Sequence, residues 1–479
     1  MLHRPPFPRP SAAAADKARL LLTRALGPSK VITSGDGCLS YASDESDQEP
    51  VVPDAVALVS SADDIAAALA AAREAEVPVV PRAGGSGKSG GAVPVSGGVV
   101  LATIGMSSIK EIDRRERVAV VEPGVVLADL HAAVEAEGLF YPPDPNSLKM
   151  CAIGGNIAEN AGGPRAFKYG VTRDYVLGLD VVLMNGTRLR TGRRTTKGVT
   201  GYDVTALLVG SEGTLAVTTE ATLRLIPKPP AIATLLALFK TVVDAGRAVE
   251  NIIAAGLIPR CLELLDASTL QAVRNRGLAI DERAHAMLIL EVDGDAAACE
   301  ADMERVGGVC ADSGAIDVLA AQDPAQRDRL WEARRQMSPA TRAMARFKIS
   351  EDVVVPRTRV VDLLDEVDRI RDRAGHDGSI RLLTYGHAGD GNLHVNFLWN
   401  DPADAPRIGD ALGQLFRAVV GFRGTLSGEH GIGTSKAEYL PLEQSDALIG
   451  LQRDLKAAFD PTGLLNPHKI FPRHGHKAC

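Results

Sequence analysis

The chain is poor in aromatic residues and has no excess of positive charge. Phe, Trp and Tyr make up 4% of its 479 residues, and 53 Lys and Arg residues stand against 60 Asp and Glu residues, which leaves a net charge of −7. Proteins that bind single-stranded nucleic acid usually stack bases on aromatic rings along a basic groove. We therefore expect no nucleic-acid partner, and no electrostatic attraction to an anionic membrane surface.

Long apolar runs and paired cysteines are also missing. No stretch approaches the roughly 20 apolar residues of a transmembrane helix, and residues 1–10 lack the apolar segment of a secretory signal. No CxxC pair is present, which argues against an iron–sulfur cluster or a thiolate zinc site. Scattered thiols are typical of a reducing, cytoplasmic compartment. The cysteines are Cys38, Cys151, Cys261, Cys299, Cys310 and Cys479.

Four segments are expected along the chain. Strand-like and helix-like stretches alternate from residue 51 onward, which is typical of an α/β fold. Pro227, Pro229 and Pro230 interrupt this alternation. The strand candidates that follow are separated by helices and predict an antiparallel sheet covered by helices on one side. The expected segments are 1–50 (a helical lead-in), 51–228, 229–425 and 426–479.

A glycine-dense loop, PRAGGSGKSGG, spans residues 81–91. It contains GxGxxG and ends like a Walker loop, but Arg82 occupies a position where a Walker loop needs glycine. Both motifs also need a helix directly afterwards, whereas Pro94 and further glycines follow here and predict a return to a strand. The remaining interpretations are a run of backbone N–H groups that holds a pyrophosphate, or an ordinary flexible loop.

A second glycine-rich segment changes the balance between these two interpretations. Residues 153–163 read IGGNIAENAGG and follow the turn-rich sequence PPDP at 142–145. Two such segments in one domain favour a single extended, flat, phosphorylated ligand over two unrelated flexible loops.

Histidines concentrate near the C-terminus. His387 and His394 flank the turn sequence GDG, which predicts a hairpin that brings the two imidazoles together. A second polar segment, SGEHGIG, supplies Glu429 and His430. Two imidazoles and a carboxylate suit zinc, manganese or another divalent ion, and His430 is better suited as a base than as a ligand. Each histidine taken alone is more often a residue with a structural hydrogen bond than a metal ligand.

Two cations complete the candidate site. Arg334 lies in the predicted helix that contains WEARR, and Lys348 lies in the sequence FKI. Arginine binds a carboxylate through two parallel hydrogen bonds, which suits an organic acid. The alternative for each cation, taken alone, is a solvated surface charge.

In combination, these segments resemble the FAD-linked 2-hydroxy-acid dehydrogenases among the vanillyl-alcohol-oxidase-like (PCMH-type) flavoproteins. That family includes D-lactate dehydrogenases, D-2-hydroxyglutarate dehydrogenases and the flavin subunit of glycolate oxidase. The resemblance spans residues 40–472 and rests on PRAGGSGKSGG, AIGGNIAENAGGPRAFKYG, GYDVTALLVGSEGTLAVTTEATLRLIPKP, YGHAGDGNLHVN, SGEHGIG and FDPTGLLNPHKIF. It implies an α+β fold, with a two-subdomain FAD-binding domain (51–228), an antiparallel-sheet substrate domain with helices on one side (229–425) and a segment (426–479) that returns to the FAD domain.

The resemblance also implies how FAD is held. The glycine-dense loop would cradle the pyrophosphate, and the second glycine-rich segment with its surroundings would line the rest. The loop contains no histidine, which implies non-covalent FAD, and Cys151 is expected to be a small buried residue rather than an attachment point. The implied FAD residues are Pro81, Arg82, Ala83, Gly84, Gly85, Ser86, Gly87, Lys88, Ser89, Gly90, Gly91, Asp144, Pro145, Ser147, Gly154, Gly155, Asn156, Asn160, Gly162, Gly163, Tyr169 and Asn466.

The same resemblance implies the catalytic roles. The implied residues are His387, His394 and Glu429 for a divalent metal (Zn²⁺ or Mn²⁺), His430 as the base, and Arg334, Lys348 and Asn396 for the substrate. The spacing around Lys348 varies within the family, and Arg335 is an alternative to Arg334.

These roles predict the oxidation of a D-2-hydroxy acid (D-lactate, glycolate or D-2-hydroxyglutarate) to the 2-oxo acid. The metal would lower the pKa of the substrate hydroxyl, and the base would take its proton while hydride passes to FAD. Two alternatives are a zinc hydrolase that uses the same His/His/Glu site and a non-catalytic flavoprotein.

The predicted oxidation also needs an electron acceptor, because the chain has no cluster motif of its own. The candidates are a quinone, a cytochrome, an electron-transfer flavoprotein, an Fe–S partner subunit or oxygen. We expect a cytoplasmic protein that is peripheral to a membrane only through that acceptor, and a homodimer is compatible with the sequence.

Overall fold

The structure is a computed structural model that describes residues 6–277, 280–335 and 337–473. These residues form two compact units. The first unit comprises residues 6–161, Val171–Lys228 and 429–473, and the second comprises Gly162–Gly170 and Pro229–Gly428. Among the helices of the described residues, none combines the length and the apolar character that crossing a bilayer requires.

Eighteen strands form four sheets within the described residues. The strands are β1 (Val31–Ile32), β2 (Ala55–Leu58), β3 (Val79–Arg82), β4 (Val99–Ala102), β5 (Ile109–Asp113), β6 (Val118–Val121), β7 (Leu139–Phe140), β8 (Val176–Val182), β9 (Arg188–Gly192), β10 (Val217–Arg224), β11 (Ile226–Pro227), β12 (Ala231–Phe239), β13 (Cys261–Leu265), β14 (Ala286–Gly294), β15 (Ala315–Ala320), β16 (Phe347–Val354), β17 (Ile380–His387) and β18 (Asn392–Trp399).

Sixteen α-helices accompany these strands within the same residues. The helices are α1 (Ala12–Leu26), α2 (Gly35–Cys38), α3 (Ala62–Glu74), α4 (Leu127–Ala136), α5 (Ile153–Glu159), α6 (Ala166–Tyr169), α7 (Val204–Leu208), α8 (Val242–Ala254), α9 (Ala267–Arg274), α10 (Ala296–Asp312), α11 (Pro324–Arg335), α12 (Met337–Arg342), α13 (Val360–Ala374), α14 (Ala405–Gly421), α15 (Leu440–Glu443) and α16 (Asp446–Phe459).

The first unit contains three sheets. One has the order β1-β2-β4-β3, in which β4 runs parallel to both β2 and β3. The second is antiparallel with the order β5-β6-β10-β8-β9, and β7 pairs with β11 in a two-stranded ladder. The parallel strand β4 is buried along its length and β2 is buried except for its last residue, which explains why they read as continuous apolar runs instead of alternating ones.

Helix α3 packs on the four-stranded sheet. Its N-terminus is capped by Ser61, whose hydroxyl accepts a hydrogen bond from the Asp64 N–H group. Ile65 and Leu69 of this helix are fully buried in one cluster with Leu101 of β4. The alanines of this helix have short side chains, which lets the helix lie close to the sheet. The helix and the sheet therefore share one core.

The dipeptide Asn185-Gly186 predicts a tight hairpin turn, and the structure confirms it. Strands β8 and β9 pair antiparallel on either side of this turn. Gly186 has a φ of +88°, a conformation that glycine adopts without steric cost. The Asn185 side-chain oxygen accepts a hydrogen bond from the Thr187 N–H group at 2.9 Å, so the turn is stabilised by local contacts alone.

A seven-stranded sheet with the order β15-β12-β14-β13-β17-β18-β16 forms the centre of the second unit. Every neighbouring pair in it is antiparallel, which confirms the sheet predicted for this region. In register, Glu263 of β13 lies opposite His387 of β17, and Tyr385 of β17 lies opposite His394 of β18. Because side chains alternate between the faces of a sheet, these four residues share one face.

Helices α9 and α12 pack on this same face. Leu270 of α9 and Met337 of α12 are fully buried in one cluster with Leu265 and Ile289 of the sheet. The partly buried Trp331 of α11 packs against that cluster. The polar residues of the face therefore lie beside an apolar core that restricts their movement.

We expect Leu264→Ala to destabilise the second unit. Leu264 lies on a central strand and is fully buried, so removing its side chain leaves a cavity that costs about 2–5 kcal/mol. The matched control is Leu319→Ala on the edge strand β15, where the leucine is 46% exposed. Thermal unfolding followed by circular dichroism checks this, and equal losses in the two variants would contradict the observed position of β13.

Candidate active site

Strands β17 and β18 form a hairpin that carries both histidines. Gly391 adopts a φ of +84° in its turn, and a Cβ atom there would lie 2.1 Å from the Val355 carbonyl oxygen. Only glycine therefore fits this position. With Tyr385 opposite His394 in register, the ring centroids of His387 and His394 lie 5.3 Å apart. The predicted approach of the two imidazoles is confirmed.

Glu429 completes a group with these histidines. It follows Gly428, whose N–H group donates to Asp352 Oδ2 of β16 at 2.9 Å. Ligand atoms of His387, His394 and Glu429 all lie within 4.8 Å of one another. Zinc bonds to nitrogen and oxygen at about 2.0–2.2 Å, so two ligands of one ion lie at most about 4.4 Å apart, and the three side chains lie close to that spacing. Two imidazoles and a carboxylate suit zinc or manganese, and the residues present fit a divalent metal.

Glu263 contacts one of these histidines and a cation. Its side chain is fully buried, Oε1 accepts a hydrogen bond from His387 Nδ1, and Oε2 accepts one from Arg334 Nε at 2.5 Å. Burial raises the pKa of the Glu263 carboxyl, but the charges of His387 and Arg334 outweigh burial and lower it to about 2. This carboxylate is ionised and is compensated by both neighbours.

Arg334 is held on two sides. It is only 3% exposed, its Nε donates to Glu263, and its guanidinium carbon lies 5.1 Å from the centroid of the Tyr385 ring, within reach of a cation–π interaction. The interpretation of Arg334 as a solvated surface charge is therefore wrong. The side chain of Arg335, the alternative to Arg334, lies outside the described parts of the chain.

Lys348 and Asn396 lie on the same sheet face as the histidines, by the alternation along β16 and β18. Lys348 is half-buried, and its Nζ donates to Thr341 Oγ1 of α12 at 2.7 Å. Asn396 is fully buried, and its Nδ2 donates to the carbonyl oxygens of His394 and Leu383 at 3.1 and 3.3 Å. These hydrogen bonds orient both side chains before any ligand binds.

His430 follows Glu429 directly. Its Nε2 atom lies 3.8 Å from Glu429 Oε1, and both side chains are largely buried. An imidazole therefore stands next to the carboxylate of the His/His/Glu group, where a base for a nearby proton would be needed.

The glycine-dense loop of the first unit is held through its carbonyl groups. Lys469 Nζ donates to the carbonyl oxygens of Gly90 and Val93 at 2.6 and 2.8 Å. Asn466 Nδ2 donates to the Gly91 carbonyl oxygen at 3.1 Å. Both donors are buried and come from the C-terminal segment. This segment fixes the peptide planes of the loop.

The N–H groups of the same loop differ from its carbonyl groups in their hydrogen bonding. Those of residues 84–87 have no hydrogen-bond acceptor within the described residues. Buried Glu159 Oε2 and Asn466 Oδ1 atoms also lack a partner in that part of the chain. Consecutive N–H groups bind anions such as a pyrophosphate, and buried polar atoms are normally satisfied by a partner. The residues present therefore fit a polar, phosphate-bearing cofactor such as FAD.

Three ionisable groups lie buried beside this loop. Burial raises the pKa of Glu159, the neighbouring Glu212 raises it further, and burial likewise raises the pKa of Glu212. Burial lowers the pKa of Lys469 to about 8, although the surrounding carboxylates oppose that change. Ser89 Oγ donates to Glu159 Oε1 at 3.1 Å. The loop, the second glycine-rich segment and the C-terminal segment thus share one electrostatic environment.

The second glycine-rich segment forms α5 and the turn after it. Asn160 ends this helix with a φ of +53°, and its Oδ1 accepts a hydrogen bond from the Arg173 N–H group at 2.8 Å. Residues 162–163 and Tyr169 belong to the second unit, where the Tyr169 hydroxyl donates to Asp293 Oδ2 at 2.7 Å. The residues implied for FAD thus fall in both units.

Two residues of these sites are absent from the sequence prediction. A signal for Glu263 exists, because it is the one charged residue in the apolar strand sequence CLELL, and buried carboxylates are rare unless paired. No comparable signal exists for Lys469, since its local sequence does not distinguish a buried lysine from an exposed one.

Comparison with known families adds two matches. Residues 53–192 match the family described as "FAD binding domain", and residues 228–470 match the one described as "FAD linked oxidases, C-terminal domain". The second match alone covers half of the chain.

Relatives with similar sequences extend along nearly the whole chain. The glycolate oxidase subunit GlcD of Bacillus subtilis (strain 168) is 42% identical over 95% of this chain and 97% of that relative. A D-lactate dehydrogenase of Anaerostipes hadrus is 34% identical over 87% of this chain and 89% of its own length. A D-2-hydroxyglutarate dehydrogenase of Stutzerimonas stutzeri (strain A1501) is 33% identical over 93% and 96%, respectively.

The fold also occurs among solved structures. The substrate-bound crystal structure of p-cresol methylhydroxylase superposes with a TM-score of 0.81, covering 99% of this chain and all of that one. The two sequences are only 16% identical, so this likeness concerns the fold alone and confirms the predicted α+β, PCMH-type class. Given a family match over half of its residues and a 42% identical relative along nearly its whole length, the chain belongs to the FAD-linked oxidases.

Proposed function

We propose that this protein oxidises a D-2-hydroxy acid to the 2-oxo acid, with bound FAD as the hydride acceptor. The observation that carries the proposal is that His387, a member of the His/His/Glu group suited to a divalent metal, is linked through Glu263 to the buried Arg334. A 2-hydroxy acid presents a hydroxyl next to a carboxylate, the two groups that such sites bind. Relatives named for glycolate, D-lactate and D-2-hydroxyglutarate support this substrate class.

Each segment of the chain receives a role in this proposal. Residues 51–228 form the FAD-binding domain, residues 229–425 form the substrate domain, and residues 426–479 return to the FAD domain. The contacts of Asn466 and Lys469 with the glycine-dense loop support the third assignment.

Two bound groups supply chemistry that side chains lack. Non-covalent FAD would accept a hydride, and a divalent ion (Zn²⁺ or Mn²⁺) would make the substrate hydroxyl more acidic. The loop at 81–91 and the second glycine-rich segment would hold FAD, while His387, His394 and Glu429 would hold the ion.

The remaining steps belong to residues of this chain. His430 accepts the hydroxyl proton on an imidazole nitrogen, so that the C–O single bond becomes a carbonyl as the α-hydrogen leaves Cα with its electron pair. Arg334 pairs with the substrate carboxylate, and Lys348 supplies a second positive charge for it or for a distal carboxylate. Asn396, fixed by two backbone carbonyls, contacts the substrate. These contacts hold the acid in one orientation, which favours hydride transfer.

The partners follow from the same chemistry. Reduced FAD must pass its electrons to a quinone, a cytochrome, an electron-transfer flavoprotein, an Fe–S partner subunit or oxygen. The word "subunit" in the names of two relatives supports a partner chain. We propose a cytoplasmic protein, peripheral to a membrane only through its acceptor, and a homodimer as its simplest self-assembly.

The visible spectrum of the anaerobic protein tests the function. We expect a flavin band that one of glycolate, D-lactate or D-2-hydroxyglutarate bleaches, because the reaction transfers a hydride to FAD. The L-isomers of the two chiral acids are the controls and should leave the band unchanged. A band that no hydroxy acid bleaches would favour a non-catalytic flavoprotein. No band after reconstitution with FAD would favour a zinc hydrolase.

Replacing His430 with asparagine tests the base. Asparagine cannot accept the hydroxyl proton, so we expect kcat to fall by about 10²–10⁴-fold while FAD stays bound. His376→Asn is the control, because His376 is exposed and its Nδ1 atom is hydrogen-bonded to the carbonyl oxygen of Arg373. Steady-state kinetics and the flavin-to-protein absorbance ratio provide the readouts. Full turnover in His430→Asn would remove this residue as the base.

Replacing Lys469 with methionine tests the FAD loop. The variant loses both hydrogen bonds to the loop carbonyls, and we expect FAD affinity to fall by about 10- to 100-fold, as for charged hydrogen bonds. Lys456→Met is the matched control, since Lys456 bonds Asp460 and the Leu465 carbonyl of the same segment. Both variants should lose thermal stability, but only the first should release FAD on dialysis. Equal FAD retention would contradict the role of Lys469.

A further inference from the structure

One buried carboxylate contacts both halves of the proposed substrate site. Glu263 is fully buried in the middle of β13, and its two oxygens have different partners. Oε1 accepts a hydrogen bond from His387 Nδ1, and Oε2 accepts one from Arg334 Nε at 2.5 Å. His387 is a proposed metal ligand, and Arg334 is the proposed partner of the substrate carboxylate.

The first contact decides which atom of His387 binds a metal. A carboxylate only accepts hydrogen bonds, so His387 must carry its proton on Nδ1. The lone pair then lies on Nε2, which becomes the ligand atom, and the ring cannot rotate without losing this hydrogen bond. Carboxylates in this position also make a ligating histidine more basic.

The second contact decides the orientation of Arg334. A guanidinium group is planar, so a hydrogen bond from Nε fixes the plane in which its terminal nitrogens lie. The aromatic ring of Tyr385, 5.1 Å from the guanidinium carbon, supports the same plane. The terminal nitrogens therefore approach a ligand in a set geometry.

We propose that Glu263 is a positioning residue that orients the metal ligand His387 and the substrate ligand Arg334 together, and so couples metal binding to carboxylate binding. This inference rests on the proposed function, since it concerns the metal and the acid assigned there. Glu263 itself contacts neither the metal nor the acid, because both of its oxygens are already engaged by the two side chains that it orients.

The chain offers a matched control for the loss of a buried carboxylate. Glu291 lies on β14, the strand next to β13, and is also buried. Its Oε1 accepts hydrogen bonds from Thr234 Oγ1 and Trp331 Nε1 at 2.9 and 2.6 Å. Glu291→Gln therefore reports what the removal of such a charge does to stability, in the same sheet but with different partners.

The experiment compares Glu263→Gln with Glu291→Gln and the wild-type protein. Glutamine has nearly the same shape but a single acceptor oxygen, and its NH₂ group faces one of the two donors. After metal removal, Co²⁺ is titrated back and followed by its visible absorption. We expect Glu263→Gln to weaken Co²⁺ binding by about 10- to 100-fold, and Glu291→Gln to leave it unchanged at comparable thermal stability.

The second readout is kinetic and uses the hydroxy acid that bleaches the flavin. At saturating Co²⁺, Glu263→Gln should still show a KM raised by about tenfold or more, because a neutral amide orients Arg334 less firmly than a carboxylate does, whichever donor its one oxygen keeps. Wild-type Co²⁺ affinity or wild-type KM in Glu263→Gln overturns the inference. Equal losses of Co²⁺ affinity and substrate affinity in Glu291→Gln also overturn the inference. The removal of any buried carboxylate from this sheet would then have the same effect.

A second variant, Glu263→Asp, provides the test if Glu263→Gln does not fold. Glu263→Asp keeps the charge, but its side chain is one methylene shorter and reaches one of the two donors at most. We expect it to lose either Co²⁺ affinity or substrate affinity by about tenfold, and retention of both overturns the inference. The proposed function fails separately, through a wild-type protein that binds no Co²⁺ or oxidises none of the acids.

Discussion

The register of three neighbouring antiparallel strands is the constraint on which the candidate active site depends. β13, β17 and β18 place Glu263 opposite His387, and Tyr385 opposite His394. A slip of one residue in β17 would turn every one of its side chains to the other face. Gly391 protects this register, because the turn it occupies has no space for a Cβ atom. The arrangement of Glu263, His387 and His394 is therefore a property of the sheet and not of any single motif.

The two units differ in which groups are available to bind a ligand and which groups hold them in place. In the second unit, the candidate binding groups are side chains that are held rigidly, because a buried carboxylate such as Glu263 is tolerated only with charged partners. In the first unit, the candidate binding groups are the backbone N–H groups of the glycine-dense loop, and side chains serve to hold the loop. Lys469 and Asn466 engage its carbonyl oxygens from behind, which leaves the N–H groups to a phosphate-bearing ligand. Both arrangements orient polar groups before a ligand arrives, which reduces the cost of binding.

Features with local causes were predictable from the sequence, and features with distant causes were not. The β8–β9 turn at Asn185-Gly186 and the approach of His387 to His394 depend on residues within one hairpin each. Arg334, by contrast, owes its burial to a carboxylate 71 positions away. Lys469 meets the glycine-dense loop from 379 positions away. Neither separation leaves a trace in the local composition, and an arginine in a charged helix segment resembles any solvated arginine.

The sequence by itself determined the antiparallel sheet, the two glycine-rich segments and the histidine hairpin, because each follows from short-range alternation, turn chemistry or spacing, whereas the α+β class followed from its resemblance to a known family. Only the tertiary structure decided that Glu263 stands between His387 and Arg334, and that the C-terminal Lys469 holds the loop at residues 90–93. The physical reason is that a buried charge is stable only where another part of the chain supplies its partner. Which part does so is settled when the sheets and helices pack together.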